Sequence, residues 1–210
     1  MSTPRPVTVI DAGVGNLGNL VRALDHLGAD TTLTTDPEVV ARSRCLVLPG
    51  VGAFRPPRER LRGELEAAIH GAVEADAHLL GICVGYQLLF DGSSEFAEKF
   101  GDTDGLGLLP GRIEKLPGDV ALPQIGWNPL VGVADHPLFA GLGDGAHFYF
   151  VHSFAPLDAP ADTVLARAIH GAPFVAVAGR GRVLGTQFHP EKSGPNGLRL
   201  LANFLDIAWN

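Results

Sequence analysis

One stretch limits the fold more than any other. From Ala77 to Phe90 the chain reads Ala-His-Leu-Leu-Gly-Ile-Cys-Val-Gly-Tyr-Gln-Leu-Leu-Phe. An apolar run of strand length meets Gly81, Cys83 and Gly85, then passes at once into sequence that suits a helix. Glycines two residues either side of a reactive side chain are the spacing of a nucleophile elbow. There a strained turn between strand and helix lifts that side chain above a sheet, and the glycines let neighbouring backbones approach. The following helix would aim its free N–H groups and positive dipole end at the sulfur. The plain alternative is a buried structural cysteine.

An elbow of this kind needs an α/β sheet around it, and 210 residues with 46% hydrophobic and 19% charged content suffice for one such domain, spanning residues 1–210. The formal net charge of −7 gives no electrostatic reason to expect nucleic acid or an anionic membrane as partner. Neither a charged-then-apolar leader nor a run of 18 apolar residues is present, so a cytoplasmic protein is expected. The two cysteines, Cys45 and Cys83, form no disulfide framework, which suits a reducing compartment. The histidines show no H-E-x-x-H or similar spacing, so neither a metal nor another cofactor is expected.

The chain alternates strand-like and helix-like segments through its first half. Val7–Ile10 reads as a buried strand, followed by a glycine loop from Ala12 to Gly18 and a helical pattern at Leu20, Leu24 and Leu27 ending at Gly28. The loop spells G-x-G-x-x-G, and Asp36 follows the next strand-like segment. This is the outline of a dinucleotide fingerprint, although Asp36 before Pro37 equally suits the opening of a turn and no second mononucleotide half follows. Arg44–Leu48 looks like a central strand running into Pro49-Gly50-Val51-Gly52-Ala53-Phe54, a loop able to turn N–H groups toward an oxyanion. Arg58–Val73 predicts one surface helix with a solvated Arg/Glu face. Gly92–Leu109 reads as loop and short helix. From Gly111 the pattern changes to short strands at 112–116, 124–127, 147–153, 164–168, 173–178 and 182–187, adding antiparallel strands to a parallel core. An amphipathic helix, Leu198–Trp209, closes the chain.

The second informative stretch is Gly185-Thr186-Gln187-Phe188-His189-Pro190-Glu191-Lys192-Ser193. In extended backbone residues i and i+2 share a face, and Pro190 favours extension at His189, so Glu191 can orient the imidazole from one side while its other nitrogen meets a nucleophile. Cys83, His189 and Glu191 thereby form a candidate triad. Gln87 lies about one helical turn beyond Cys83, where its amide can reach the space above the sulfur or cap a neighbouring group. Glu95 is a candidate ligand contact or an exposed acid.

Together with Gln124-Ile125-Gly126-Trp127-Asn128 and Tyr149-Phe150-Val151-His152-Ser153, these segments resemble a class I glutamine amidotransferase. More narrowly, they resemble the glutaminase subunits of imidazole glycerol phosphate synthase in histidine biosynthesis. The likeness runs the length of the chain and includes Asp11 and Gly15-Asn16-Leu17, which accounts for the glycine loop without a nucleotide. Ala12, Val84, Tyr86 and Phe154 depart from the family's usual residues. The resemblance implies a flavodoxin-like α/β fold with a mostly parallel central sheet. It implies glutamine as substrate, Cys83, His189 and Glu191 as catalytic residues, and an oxyanion site from the N–H of Val84 with one from Gly50, Val51 or Gly52. Gln87, Glu95, Ser153 and Phe154 would bind glutamine. Asn16, Trp127, Asn128 and Lys192 would face a (β/α)₈-barrel cyclase subunit that consumes the ammonia. Two other readings stay open: a glutaminase serving another synthase, such as that for pyridoxal phosphate, and a non-catalytic dinucleotide-binding or docking module.

Overall fold

The computed structural model describes residues 5–13, 17–143 and 145–209. Its centre is a seven-stranded sheet. In chain order the strands of the protein are β1 (Arg5–Ile10), β2 (Ala29–Thr34), β3 (Cys45–Gly50), β4 (His78–Cys83), β5 (Gly92–Ser93), β6 (Thr103–Asp104), β7 (Arg112–Lys115), β8 (Gln124–Pro129), β9 (His147–His152), β10 (Phe154–Pro156), β11 (Val164–His170), β12 (Ala172–Arg180) and β13 (Val183–Thr186). The large sheet runs β11-β12-β13-β4-β3-β1-β2. Its members β2, β1, β3, β4 and β13 are parallel, and β12 and β11 add on antiparallel. The expected mixture of a parallel core with antiparallel additions is therefore present. The parallel strands β3 and β4 are near-continuous apolar runs because both their faces are covered.

The helices are α1 (Leu17–His26), α2 (Pro37–Ala41), α3 (Arg55–Leu61), α4 (Glu64–Glu74), α5 (Val84–Leu88), α6 (Ala97–Phe100) and α7 (Gly194–Trp209). Burial of Leu20, Ala23 and Leu24 in α1, and of Leu200, Leu201, Phe204, Leu205 and Ala208 in α7, follows the helical period. Asp36 caps α2: its Oδ1 accepts the Glu38 N–H at 2.9 Å, with Pro37 at the first helical position. The acid of the supposed dinucleotide fingerprint is thus occupied by a helix end. No helix among the described residues is long and apolar enough to cross a membrane.

Three expectations need correction. The single helix expected over Arg58–Val73 is two, α3 and α4, broken at Arg62-Gly63. Arg58 is not on a solvated face; it is 1% exposed. Its guanidinium donates to both carboxylate oxygens of Glu66, at 2.8 and 2.7 Å, and to the Asp104 carbonyl at 2.9 Å. Helical periodicity could not distinguish this buried, fully paired cation from a surface one. The segment after the elbow also carries more sheet than expected, because β5 and β6 join β7 and β10 in a four-stranded sheet of order β10-β7-β5-β6. Strands of two or three residues are too short to leave an alternating pattern. The remaining pair, β8 and β9, forms a separate two-stranded ribbon.

Candidate active site

The elbow is formed as its spacing predicts. Cys83 ends β4 in a left-handed backbone conformation, φ 55° and ψ −112°, which a non-glycine residue adopts only under strain. The flanking glycines are required by close approach. A Cβ on Gly81 would lie 2.7 Å from the Tyr86 Cα, and one on Gly85 would be driven into the Leu48 carbonyl. The helix that follows, α5, is only five residues long, so its dipole is shorter than the sequence suggested. Tyr86 fits its unusual place because its ring lies over Gly185 while its hydroxyl donates to the Val175 carbonyl at 3.2 Å.

Sheet order brings His189 to Cys83. β13 pairs parallel with β4, with Thr186 opposite Ile82, so the chain leaving β13 passes the end of β4 and delivers Gln187 and His189 beside Cys83. The Gln187 amide donates toward the Cys83 sulfur at 3.9 Å. The His189 N–H donates to the Tyr149 carbonyl at 3.0 Å, and the Ser193 hydroxyl donates to the His189 carbonyl at 2.6 Å, fixing the backbone on both sides of the ring. His189 is extended, as the residue before a proline should be. Pro190–Lys192 then forms a 3-10 turn, and this turn, rather than a continued extended run, returns Glu191 to the ring. The Pro190 ring fixes the backbone angle that starts it. Nδ1 of His189 lies 2.8 Å from Oε1 of Glu191, with the two side chains 3% and 5% exposed. Nε2, on the other side of the ring, makes no well-formed hydrogen bond and has the Cys83 sulfur as its neighbour.

Burial alone would depress the His189 pKa. Hydrogen bonding and charge from Cys83 and Glu191 outweigh it and push the ring up to about 9. A ring held protonated between a sulfur and a carboxylate is suited to giving a proton to a leaving group.

Cys83 and His189 open onto a cavity of about 460 Å³ that Val51, Gly52, Val84, Gln87, Glu95, Ser153, Phe154 and Lys192 help to line. Gly50 is buried at the end of β3 opposite Cys83, where a Cβ would come within 2.9 Å of the Val84 Cβ. Gln87 is 3% exposed, and its amide nitrogen donates to the Phe154 carbonyl at 2.7 Å and to Gln187 Oε1 at 3.1 Å. Both its N–H groups are spent on the protein. The Phe154 carbonyl also meets His152 Nδ1 at 3.0 Å, and the Ser153 carbonyl accepts the Leu116 N–H at 2.9 Å. Glu95 Oε2 accepts the Phe54 N–H at 2.6 Å. Burial raises its carboxyl pKa above the usual value, against the opposing pull of that hydrogen bond.

Of the positions expected to face a partner, Lys192 is half-buried at the cavity and Trp127 is exposed on β8. The Trp127 ring stands edge-on to Tyr149 with centroids 6.0 Å apart, and the Asn128 amide donates to the Ile169 carbonyl at 2.9 Å. Asn16 lies outside the described residues. Sequence reasoning gave no role to Gln187 or His152. Gln187 carried a usable signal, since it precedes His189 by two positions; His152 was visible only as part of a motif. Among the described residues no cluster of metal-ligating side chains occurs.

A cysteine on a strained strand-to-helix turn, with a histidine and glutamate delivered from the neighbouring parallel strand, is an arrangement suited to thiol-dependent amide hydrolysis on an α/β sheet. The family model described as glutamine amidotransferase class-I matches residues 8–208, and the chain belongs to that family. Similar solved structures carry the same fold. A glutamine amidotransferase crystal structure aligns with TM-score 0.74 at 25% identity, covering 96% of this chain and 98% of its own. A chain of the PurLQS structure from Thermotoga maritima aligns with TM-score 0.72 at 20% identity, covering 98% and 99%.

Within the family its relatives are HisH subunits of imidazole glycerol phosphate synthase. That of Dehalococcoides mccartyi is 42% identical over 203 residues, covering 96% of this chain and 97% of its own. That of Symbiobacterium thermophilum is 45% identical over 199 residues, covering 94% and 92%. Such relatives do not favour a glutaminase of another synthase or a dinucleotide-binding module.

Proposed function

We propose that this chain is the glutaminase subunit of an imidazole glycerol phosphate synthase, with Cys83 as nucleophile, His189 as general acid and base, and Glu191 as the group that orients His189. The observation that carries this reading is the buried His189–Glu191 pair beside an elbow cysteine. The Cys83 thiolate attacks the side-chain amide carbon of glutamine, and the oxyanion is held by the N–H of Val84 with one from Gly50, Val51 or Gly52. Collapse breaks the C–N bond as His189 protonates the departing nitrogen, giving ammonia and a γ-glutamyl thioester. The ring, now neutral, takes a proton from water, which attacks the thioester and releases glutamate. One glutamine and one water give one glutamate and one ammonia.

Gln87, Glu95, Ser153 and Phe154 bind the substrate. With its N–H groups already used, Gln87 offers its amide oxygen and acts chiefly by holding Phe154 and Gln187. The partner is a (β/α)₈-barrel cyclase that receives ammonia and makes imidazole glycerol phosphate and AICAR. It docks through Trp127, Asn128 and Lys192, to which the family resemblance adds Asn16, and Ile125 beside Trp127 is 65% exposed. Ile125 and Trp127 alternate on one side of β8, the pattern of an apolar anchor pair. The reaction takes place in the cytoplasm, where a nucleophilic thiol stays reduced.

The test is reconstitution with a barrel cyclase from the same organism. Glutamine-dependent product formation is expected, and Cys83→Ala should abolish it while ammonia-dependent formation persists. Equal glutamine-dependent turnover by Cys83→Ala would overturn the reading.

A further inference from the structure

The loop Pro49–Phe54 and the substrate pocket share one carboxylate. Glu95 lies on a different element, between β5 and α6, and reaches across to accept the Phe54 N–H at 2.6 Å. Its own N–H donates to the hydroxyl of Ser93, a residue with no exposed surface, at 3.0 Å. It is also the one acid among the described residues that line the cavity, on which Val51 and Gly52 also open. Phe54 is the last residue before α3, so a pull on its N–H acts on the end of the loop from which oxyanion donors would come.

The segment carrying Glu95 is itself fastened along α3. The Arg55 guanidinium sits 4.7 Å over the Phe100 ring, and Arg58 donates to the Asp104 carbonyl at 2.9 Å and carboxylate at 3.1 Å. Arg62 pairs with the same Asp104 carboxylate. None of the residues making these ties lines the cavity. Within that fixed frame the Glu95 contact is the one that reaches the cavity. An incoming α-ammonium has no other lining carboxylate among the described residues to pair with.

We propose that Glu95 is a latch as well as a substrate receptor: in the empty site it holds Phe54 and with it the oxyanion loop, and the α-ammonium of glutamine draws the carboxylate off that N–H. This rests on reading the cavity as a glutamine site. Glu95 is then a positioning residue for the loop, and substrate binding is felt at residues 50–54 before chemistry begins. Only Oε2 is engaged by the neutral Phe54 amide, and the charge-assisted bond to an ammonium is the stronger of the two, so the carboxylate turns toward the ammonium at the expense of Phe54.

Two measurements test this. In the free protein labelled with ¹⁵N-phenylalanine, the Phe54 amide should be protected from exchange, and Glu95→Ala should speed that exchange by about tenfold or more. Glu95→Gln, which keeps an acceptor oxygen, should retain most of the protection. Adding glutamine to Cys83→Ala should move the Phe54 amide resonance upfield and speed its exchange. Glutaramate, which has the amide but no α-ammonium, should do neither.

In turnover, Glu95→Gln should raise the KM for glutamine by about tenfold or more with kcat little changed, because the ammonium loses its carboxylate while an acceptor for Phe54 is kept. Unchanged Phe54 exchange in Glu95→Ala, or glutamine bound by calorimetry with no response at Phe54, would overturn the latch. Absence of glutamine binding altogether would instead sink the glutaminase reading on which it stands.

Discussion

His189 Nδ1 and Glu191 Oε1 stand 2.8 Å apart across a two-residue separation, closed by a 3-10 turn and sealed from solvent. The carboxylate therefore acts on the ring as a fixed neighbour. With Cys83 it holds the imidazole protonated up to about pH 9. Glutaminase activity of the complex should decline on its alkaline side with an apparent pKa near 9. Glu191→Gln should lower kcat by roughly 10²–10⁴-fold and move that alkaline limb to lower pH. A pH–rate profile of both proteins checks this, and an unmoved limb would remove Glu191 from the triad.

His152 has the opposite behaviour. Burial, aided by the nearby rings of His170 and His189 and opposed by its bond to the Phe154 carbonyl, lowers its pKa from 6.5 to about 4. Below pH 6.5 the unfolded chain takes up this proton before the folded one does. The contribution is therefore complete above about pH 6.5 and drains away as pH falls toward 4, on the order of 3 kcal/mol in all. Urea unfolding between pH 4 and 7 should show that slope in the wild type, and His152→Asn should flatten it.

Space around two glycines predicts opposite outcomes. Gly85→Ala would force a methyl into the Leu48 carbonyl, backbone against backbone, and should cost about 3 kcal/mol or more or prevent folding. Gly71, exposed within α4 and with nothing within 4 Å of a Cβ, should gain about 1 kcal/mol on Gly71→Ala. Chemical denaturation of the pair distinguishes crowding from helix propensity.

Arg58 anchors α3 to Glu66 and Asp104 with its side chain 2% exposed. Arg58→Ala removes a buried side chain while Glu66 and Asp104 keep access to water, and should destabilise by about 1–3 kcal/mol. Arg58→Met, which refills much of the volume, should lose less. A difference of under about 1 kcal/mol between wild type and Arg58→Ala would show that the network contributes little.

Trp127 is 53% exposed in this chain. Trp127→Ala should weaken cyclase binding by about 2 kcal/mol or more, measured by calorimetry, while the melting temperature of the free protein stays nearly unchanged.

The elbow was legible because it is local: two glycines around one cysteine between an apolar run and a helical pattern. His189 and Glu191 were legible for the same reason, although their contact comes from a turn where an extended run was expected. What residue spacing could not supply was their union with Cys83, which depends on β13 settling beside β4. The bond from Glu95 to Phe54 spans 41 positions, and no pattern links the two segments. Arg58 was misread because a helix with alternating charges looks the same whether its arginine meets water or two carboxylates. Asp36 kept two readings open in the sequence, and its place before Pro37 is the one that holds, as a helix cap.

The parallel pairing of β4 with β13 joins residues about a hundred positions apart. On the proposed mechanism, a growing polypeptide on the ribosome carries its thiol long before the ring that would activate it. Half-made copies would then leave cellular glutamine intact, with hydrolysis waiting until synthesis has passed Glu191 and the late strand has closed the sheet.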